Sequence, residues 1–114
     1  MNIFDIYLDK IVRIVIDQNK KGLIKIPETL EFINVDIPPK QFDCDISTNV
    51  SMVLAKINNT QPIEIANKLI TLIKKEDSNI ADIDVAKPGF INIKFKQSFW
   101  NEFLKEKMYN NKSV

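Results

Sequence analysis

The strongest constraint on the fold of this 114-residue chain is a pair of alternating segments in its C-terminal third. Residues 80–86 and 90–96 each alternate between apolar and polar side chains, a pattern typical of strands with one buried face. Lys87, Pro88 and Gly89 between them form a turn sequence, so the two segments are predicted to pair as a β-hairpin. An antiparallel hairpin of this kind needs the rest of the chain to cover its apolar face.

Most of the other apolar residues recur at helical spacing, so amphipathic helices are predicted to cover the apolar face of the hairpin. The pattern predicts an amphipathic helix over residues 3–19, ended by Gly22, which tolerates the left-handed backbone conformation. Second and third helices are predicted to begin at Val50 and at Pro62. A final helix is predicted to follow Ser98, which would act as its cap.

Two further short strands are predicted between the first and second helices. Residues 32–37 alternate as a strand would, and Pro38 and Pro39 then end it because proline cannot donate to a central ladder. Residues 41–46 form the second candidate strand. The sequence therefore predicts an α+β fold in two layers, with helices packed on one face of a small antiparallel sheet.

Composition excludes several classes of function. Cys44 is the only cysteine and histidine is absent, which excludes an intramolecular disulfide, a Cys/His zinc site and catalysis by an imidazole base. No stretch resembles a signal peptide or a membrane span, so we expect a soluble protein in a reducing cytoplasm, without membrane association.

Charge is distributed unevenly along the chain. Residues 1–85 carry ten Lys or Arg against thirteen acids, whereas residues 86–114 carry six Lys against two acids. A polyanion would favour the C-terminal quarter, although such a shift is also compatible with an ordinary solvated surface.

The outward row of the hairpin combines residue types that suit RNA. Strand alternation sends Ile91, Ile93 and Phe95 towards the core. It sends outward an aromatic ring, an amide and two cations, namely Phe90, Asn92, Lys94 and Lys96, with Lys87 in the adjoining turn. Such a set stacks on an unpaired base, hydrogen-bonds its edge and neutralises phosphates. The alternative is that Phe90 packs against the final helix and the lysines only keep the sheet soluble.

A polar cluster before the second helix favours a structural role. Asp45, Thr48 and Asn49 are predicted to cap that helix and to hold the preceding turn. A rival interpretation is a small acid/base enzyme that uses Asp43 and Asp45, but no metal ligand set accompanies those carboxylates. We therefore expect no catalytic residue and no metal site.

Three stretches in the same order and spacing resemble the N-terminal additional domain of arginyl-tRNA synthetases. They are FDCDISTNVSMVLAK at residues 42–56, PIEIANKLI at residues 62–70 and VAKPGFINIKF at residues 85–95. Asp43 and Cys44 depart from the family's His-Gly pair, Ser47 replaces its Ala, and Lys87 stands where Gly is frequent. The resemblance nevertheless covers nearly the whole chain.

The resemblance implies a fold and a function. It implies two helix-strand-strand repeats in the core and contact with the D-loop at the outer corner of an arginine tRNA through Phe90 and Asn92, with Lys87 nearby. It also implies a parent enzyme that uses ATP and Mg²⁺ to ligate arginine to tRNA. The family's catalytic histidine motif is absent from this chain, so this part is expected to need no cofactor.

The resemblance also implies a domain boundary near the C-terminus of the chain. Residues 1–109 are expected to form the additional domain, a monomer, and residues 110–114 the start of a linker to the parent's own catalytic domain. The alternative is a free-standing RNA-binding or protein-interaction module.

Overall fold

The computed structural model describes the backbone of residues 2–112 and the side chains of residues 2–106. Its helices are α1 (Ile3–Lys20), α2 (Val50–Ala55), α3 (Pro62–Glu76) and α4 (Gln97–Lys112). Its strands are β1 (Val35–Asp36), β2 (Ile46–Thr48), β3 (Ile80–Ala86) and β4 (Phe90–Phe95). The predicted α+β class is confirmed, and the element order contains helix-strand-strand twice, as α1-β1-β2 and α3-β3-β4.

The four strands form one antiparallel sheet in the order β1-β2-β4-β3. The predicted hairpin is confirmed: Ala86 pairs with Phe90 beside the turn, and Ile83 pairs with Ile93 further along. Because β4 lies between β2 and β3, both of its edges are hydrogen-bonded. The second strand of the hairpin is thus a central strand of the sheet, and β3 lies at its edge.

One continuous core joins the sheet to the helices. The inward row of β4 is fully buried together with Ile46 of β2, and the same cluster contains the apolar stripes of α1 and α3. Ile65, Ala66, Leu69 and Ile73 form the α3 stripe that helical spacing predicts. Gly22, just after α1, has φ +75°, the left-handed conformation expected of a glycine that ends a helix.

Helix α4 packs at one end of this core through aromatic rings. Phe95 packs against Phe99 with ring centroids 4.6 Å apart and planes tilted by 36°, and it meets Trp100 edge-to-face at 5.8 Å. The helix begins at Gln97, so the prediction that Ser98 caps it was wrong; Lys96 precedes the helix and accepts a bond from the Phe99 N–H. Residues 110–112 of the predicted linker are helical, and residues 113–114 lie outside the described part.

The N-terminal strands are shorter than predicted, for a reason that lies elsewhere in the chain. Only Val35 and Asp36 of residues 32–37 form a strand, because the Asn49 side chain bonds the Asn34 N–H and the Phe32 carbonyl and so replaces a strand partner there. Residues 41–45 form a connection, and the second strand starts at Ile46. Among the helices described, none is long and apolar enough to cross a membrane.

A buried carboxylate ties α1 to the end of α3. The Asp77 Oδ2 accepts a bond from Lys10 Nζ at 3.0 Å, and its Oδ1 accepts the Asn79 N–H at 2.9 Å. Burial alone raises the pKa of Asp77, but the Tyr7 hydroxyl, the Asn79 N–H and the Lys10 ammonium together lower it below its usual value.

Replacing Asp77 with asparagine is expected to lower the free energy of unfolding by about 1 kcal/mol at neutral pH, because the half-exposed Lys10 loses its counter-ion. A depressed pKa stabilises the fold above the pKa of an unfolded aspartate, about 3.9, and this stabilisation is lost as the pH falls through the folded pKa. The difference between Asp77→Asn and wild type should therefore shrink below about pH 4 in urea titrations. Asp9→Asn, which removes an exposed pair with Arg13, is the control.

Candidate nucleic-acid interface

The side of the sheet that faces away from the core carries two clefts. Residues 37–45, which connect β1 to β2 and are called the strap below, run over this side. A cleft of about 450 Å³, the apolar cleft, lies between Phe90 and the prolines of the strap. A second cleft of about 380 Å³, the acidic cleft, is lined by Asp43, Asp82 and Asp84. Phe42 of the strap lines both.

Asn92 forms part of the lining of both clefts, and its predicted exposure was wrong. It is only 6% exposed because it lies in the central strand, opposite Ser47 on one side and Asp84 on the other, with the strap on the outward side. Its Oδ1 has no hydrogen-bond partner among the described residues. Burying an amide oxygen without a hydrogen-bond partner costs folding free energy. Such groups are rare in native proteins, so this one requires an explanation.

Phe90 lies beside the turn of the hairpin, away from α4. It is 38% exposed and belongs to the lining of the apolar cleft, whereas α4 packs against Phe95 at the far end of the strand. The alternative in which Phe90 packs on the final helix is therefore wrong. Phe42, equally exposed, offers a second ring to the same cleft.

The three lysines of the predicted surface differ in their surroundings. Lys94 Nζ donates to Asp43 Oδ2 at 2.6 Å, and this hydrogen bond, with the charge of Asp43, raises the pKa of Lys94. Lys87 and Lys96 are exposed and form no ion pair with any residue that the structure describes. Phe90 and Lys96 are six positions apart along the extended chain, a distance of about 20 Å. Of the described lysines that line the clefts, Lys87 is therefore the one without an ion pair.

The predicted caps of α2 are formed in part. Thr48 Oγ1 accepts the Val50 N–H at 3.2 Å, next to the helix start. Asn49 occupies the cap position but makes no side-chain capping bond, because its amide is engaged by the backbone at residues 32 and 34. Asp45 accepts the Phe95 N–H at 2.8 Å and so fixes the end of the strap to β4. These side chains hold loops to the sheet.

Cys44 and the carboxylates near it are the groups of this face that could carry chemistry. Burial raises the pKa of the Cys44 thiol, and the carboxylates of Asp45, Asp43 and Asp84 raise it further, which keeps the sulfur neutral. No group of three or more Cys, Asp or Glu side chains in the described part is placed to hold a metal ion.

The strap is the feature that the sequence patterns do not reveal. Phe42 has no periodic neighbours, and its role as a wall of both clefts depends on pairing between β1 and β2. The one available signal is Pro38-Pro39, which excludes these residues from the ladder and leaves them free to cross the sheet.

The fold defines the chain as a small α+β domain, and comparison with known proteins identifies its family. The family model described as "Arginyl tRNA synthetase N terminal domain" matches residues 8–95. An arginine–tRNA ligase of Pelagibacter ubique is 60% identical over 112 residues, which is 98% of this chain and 19% of the relative. An arginine–tRNA ligase of Bartonella bacilliformis is 42% identical over 107 residues, 92% of this chain and 18% of the relative.

The chain belongs to the arginyl-tRNA synthetase N-terminal domain family. It spans about a fifth of the length of these relatives.

Proposed function

We propose that this chain is the tRNA-recognition part of an arginine–tRNA ligase and that it contacts the D-loop at the outer corner of an arginine tRNA. The observation that supports this best is the Asn92 Oδ1, which has no hydrogen-bond partner in the described part of the chain and lies on a cleft that also has an exposed ring and the exposed Lys87. The names of the relatives support the ligase assignment.

Each of the three residues has a distinct role in this proposal. Phe90 stacks on a base that has left the D-loop stack, and Asn92 hydrogen-bonds the donor groups on the edge of that base. Lys87, exposed on the turn, neutralises a neighbouring phosphate. The apolar cleft, at about 450 Å³, has the size of an ordinary small-ligand pocket and accommodates a single base.

The contact is expected to be weak in isolation and useful through tethering. One stacked base contributes roughly 1–3 kcal/mol, which is too little for tight binding alone. Attached to a catalytic domain, the same contact raises the effective concentration of the tRNA near that domain. The contact thus aids aminoacylation without taking part in its chemistry.

ATP and Mg²⁺ belong, in this proposal, to the rest of the ligase. The described residues do not fit them, because the carboxylates of the acidic cleft form no three-residue ligand set and its Lys94 already pairs with Asp43. No step of arginine activation is assigned to this chain.

Replacing Asn92 with leucine separates recognition from folding. Leucine has a similar size and removes a buried oxygen without a partner, so the free energy of unfolding should be unchanged or higher. Affinity for an arginine tRNA should fall about two- to tenfold, because one hydrogen bond to the base is lost. Fluorescence titration and urea denaturation of the same samples measure both.

Asn67→Leu is the matched control, because Asn67 is exposed on α3 and does not line either cleft. It should bind tRNA as wild type does. A folded Asn92→Leu variant with full affinity would contradict the role given to Asn92.

A further inference from the structure

Among the described residues, one polar contact fastens the strap to the sheet along most of its length. Its end is fixed where Asp45 bonds β4, through its own N–H to the Ile93 carbonyl and through its carboxylate to the Phe95 N–H. Between residues 37 and 44, the bond from Lys94 to Asp43 is the one polar link to the sheet within the described structure. The Asp43 side chain is 91% exposed.

We propose that Asp43 acts as an internal substitute for an RNA phosphate, which occupies Lys94 and holds the strap closed over Asn92 until tRNA displaces it. This inference rests on the proposed function. It assigns Asp43 a positioning and inhibitory role, and it assigns Lys94 a phosphate contact that forms only after the exchange.

The geometry around Asn92 supports a closed strap in the free protein. The Asn92 Oδ1 is almost inaccessible, and the clefts to either side of Phe42 both include Asn92 in their lining. A base that bonds this oxygen therefore needs the strap to shift. Phe42 lies next in sequence to Asp43, so release of the Asp43 carboxylate frees the ring that separates the two clefts.

Replacing the Asp43 carboxylate by an RNA phosphate changes the interaction free energy of Lys94 only slightly. A carboxylate and a phosphate oxygen both carry negative charge and both accept from an ammonium group, so Lys94 exchanges one charged partner for another. Exposed ion pairs of this kind change equilibria by up to about fivefold. Asp43 therefore moderates RNA affinity without abolishing it.

A double-mutant cycle tests the exchange. Wild type, Asp43→Asn, Lys94→Ala and the double variant are titrated with an arginine tRNA at two salt concentrations. Asp43→Asn should bind about two- to fivefold more tightly, and its salt dependence should steepen by about one counter-ion, because Lys94 is then free for a phosphate. Lys94→Ala alone should change affinity less than about twofold, since Asp43 already occupies that lysine.

The double variant shows whether the gain in tRNA affinity caused by Asp43→Asn depends on Lys94. If the Asp43→Asn gain disappears when Lys94 is alanine, the exchange is supported; if the gain persists, it is a general effect of removing negative charge and the inference is wrong. Asp84→Asn is the control for charge on the same face, because Asp84 lines the same cleft but lies opposite Asn92 and forms no ion pair with Lys94 in the described structure. An equal gain from Asp84→Asn would also overturn the inference.

Failure of the exchange and failure of the proposed function give different results. If Phe90→Ala weakens binding while Asp43→Asn leaves affinity unchanged, tRNA recognition stands and the role of Asp43 falls. If no variant binds tRNA even at low salt, both are wrong.

Discussion

Replacing Phe90 with alanine is expected to weaken tRNA binding by about 5- to 150-fold, the loss that corresponds to one stacked base at 1–3 kcal/mol. Phe90 is part of the lining of the apolar cleft and lies outside the buried core cluster, so its removal should leave folding nearly intact. In an arginine–tRNA ligase that carries this chain, the proposal predicts a higher apparent KM for tRNA and unaltered arginine activation by ATP. Binding titrations and activation assays of the same variant measure the two effects.

The control for this variant is Phe32→Ala. Phe32 is 67% exposed, lies outside the core cluster and lines neither cleft. It is therefore the same type of side chain as Phe90 at a position away from the proposed RNA site. Its removal should leave tRNA affinity unchanged. Equal losses from both variants, or no loss from Phe90→Ala, would show that the ring at residue 90 does not stack on RNA.

Replacing Gly89 with alanine is expected to lower the free energy of unfolding by about 1–3 kcal/mol, the usual cost of overpacking. A Cβ at Gly89 would overlap the Pro62 Cβ and come within 3.3 Å of Met52 Cγ. The turn of the hairpin thus presses against the start of α3, and relief of the overlap displaces the residues beside it, Lys87 and Phe90. Chemical denaturation measures the loss, and tRNA affinity should fall with it.

A double-mutant cycle with Pro62→Gly identifies the overlap as the cause. Pro62→Gly removes the Cβ that Gly89→Ala would strike, so the second substitution should cost less in that background than in wild type. Additive losses would mean that the cost at residue 89 arises from something other than contact with Pro62.

The parts of the fold that the sequence predicts well are those determined by local periodicity. The bounds of β3 and the inward row of β4 follow from alternation, and the stripe of α3 follows from helical spacing. These elements each place a continuous apolar row in one core, so local pattern and tertiary packing agree.

The errors occur where a distant partner decides the local structure. Residues 32–34 do not join the sheet because Asn49 bonds their backbone, and no local pattern reveals a bond across that distance. Asn92 is correctly assigned to the outward row, yet it is buried because the strap crosses that row. Alternation predicts which way a side chain points but not what covers it. The pairing of Lys94 with Asp43, 51 positions away, escapes prediction for the same reason.

Hydroxyl-radical footprinting of an arginine tRNA, with and without this chain, tests the central proposal most directly. The proposal predicts protection of the D-loop backbone by the wild-type chain, and loss of that protection with Phe90→Ala at the same protein concentration. Protection confined to the anticodon or the acceptor end, or D-loop protection that persists unchanged in Phe90→Ala, would contradict recognition of the tRNA corner by this hairpin.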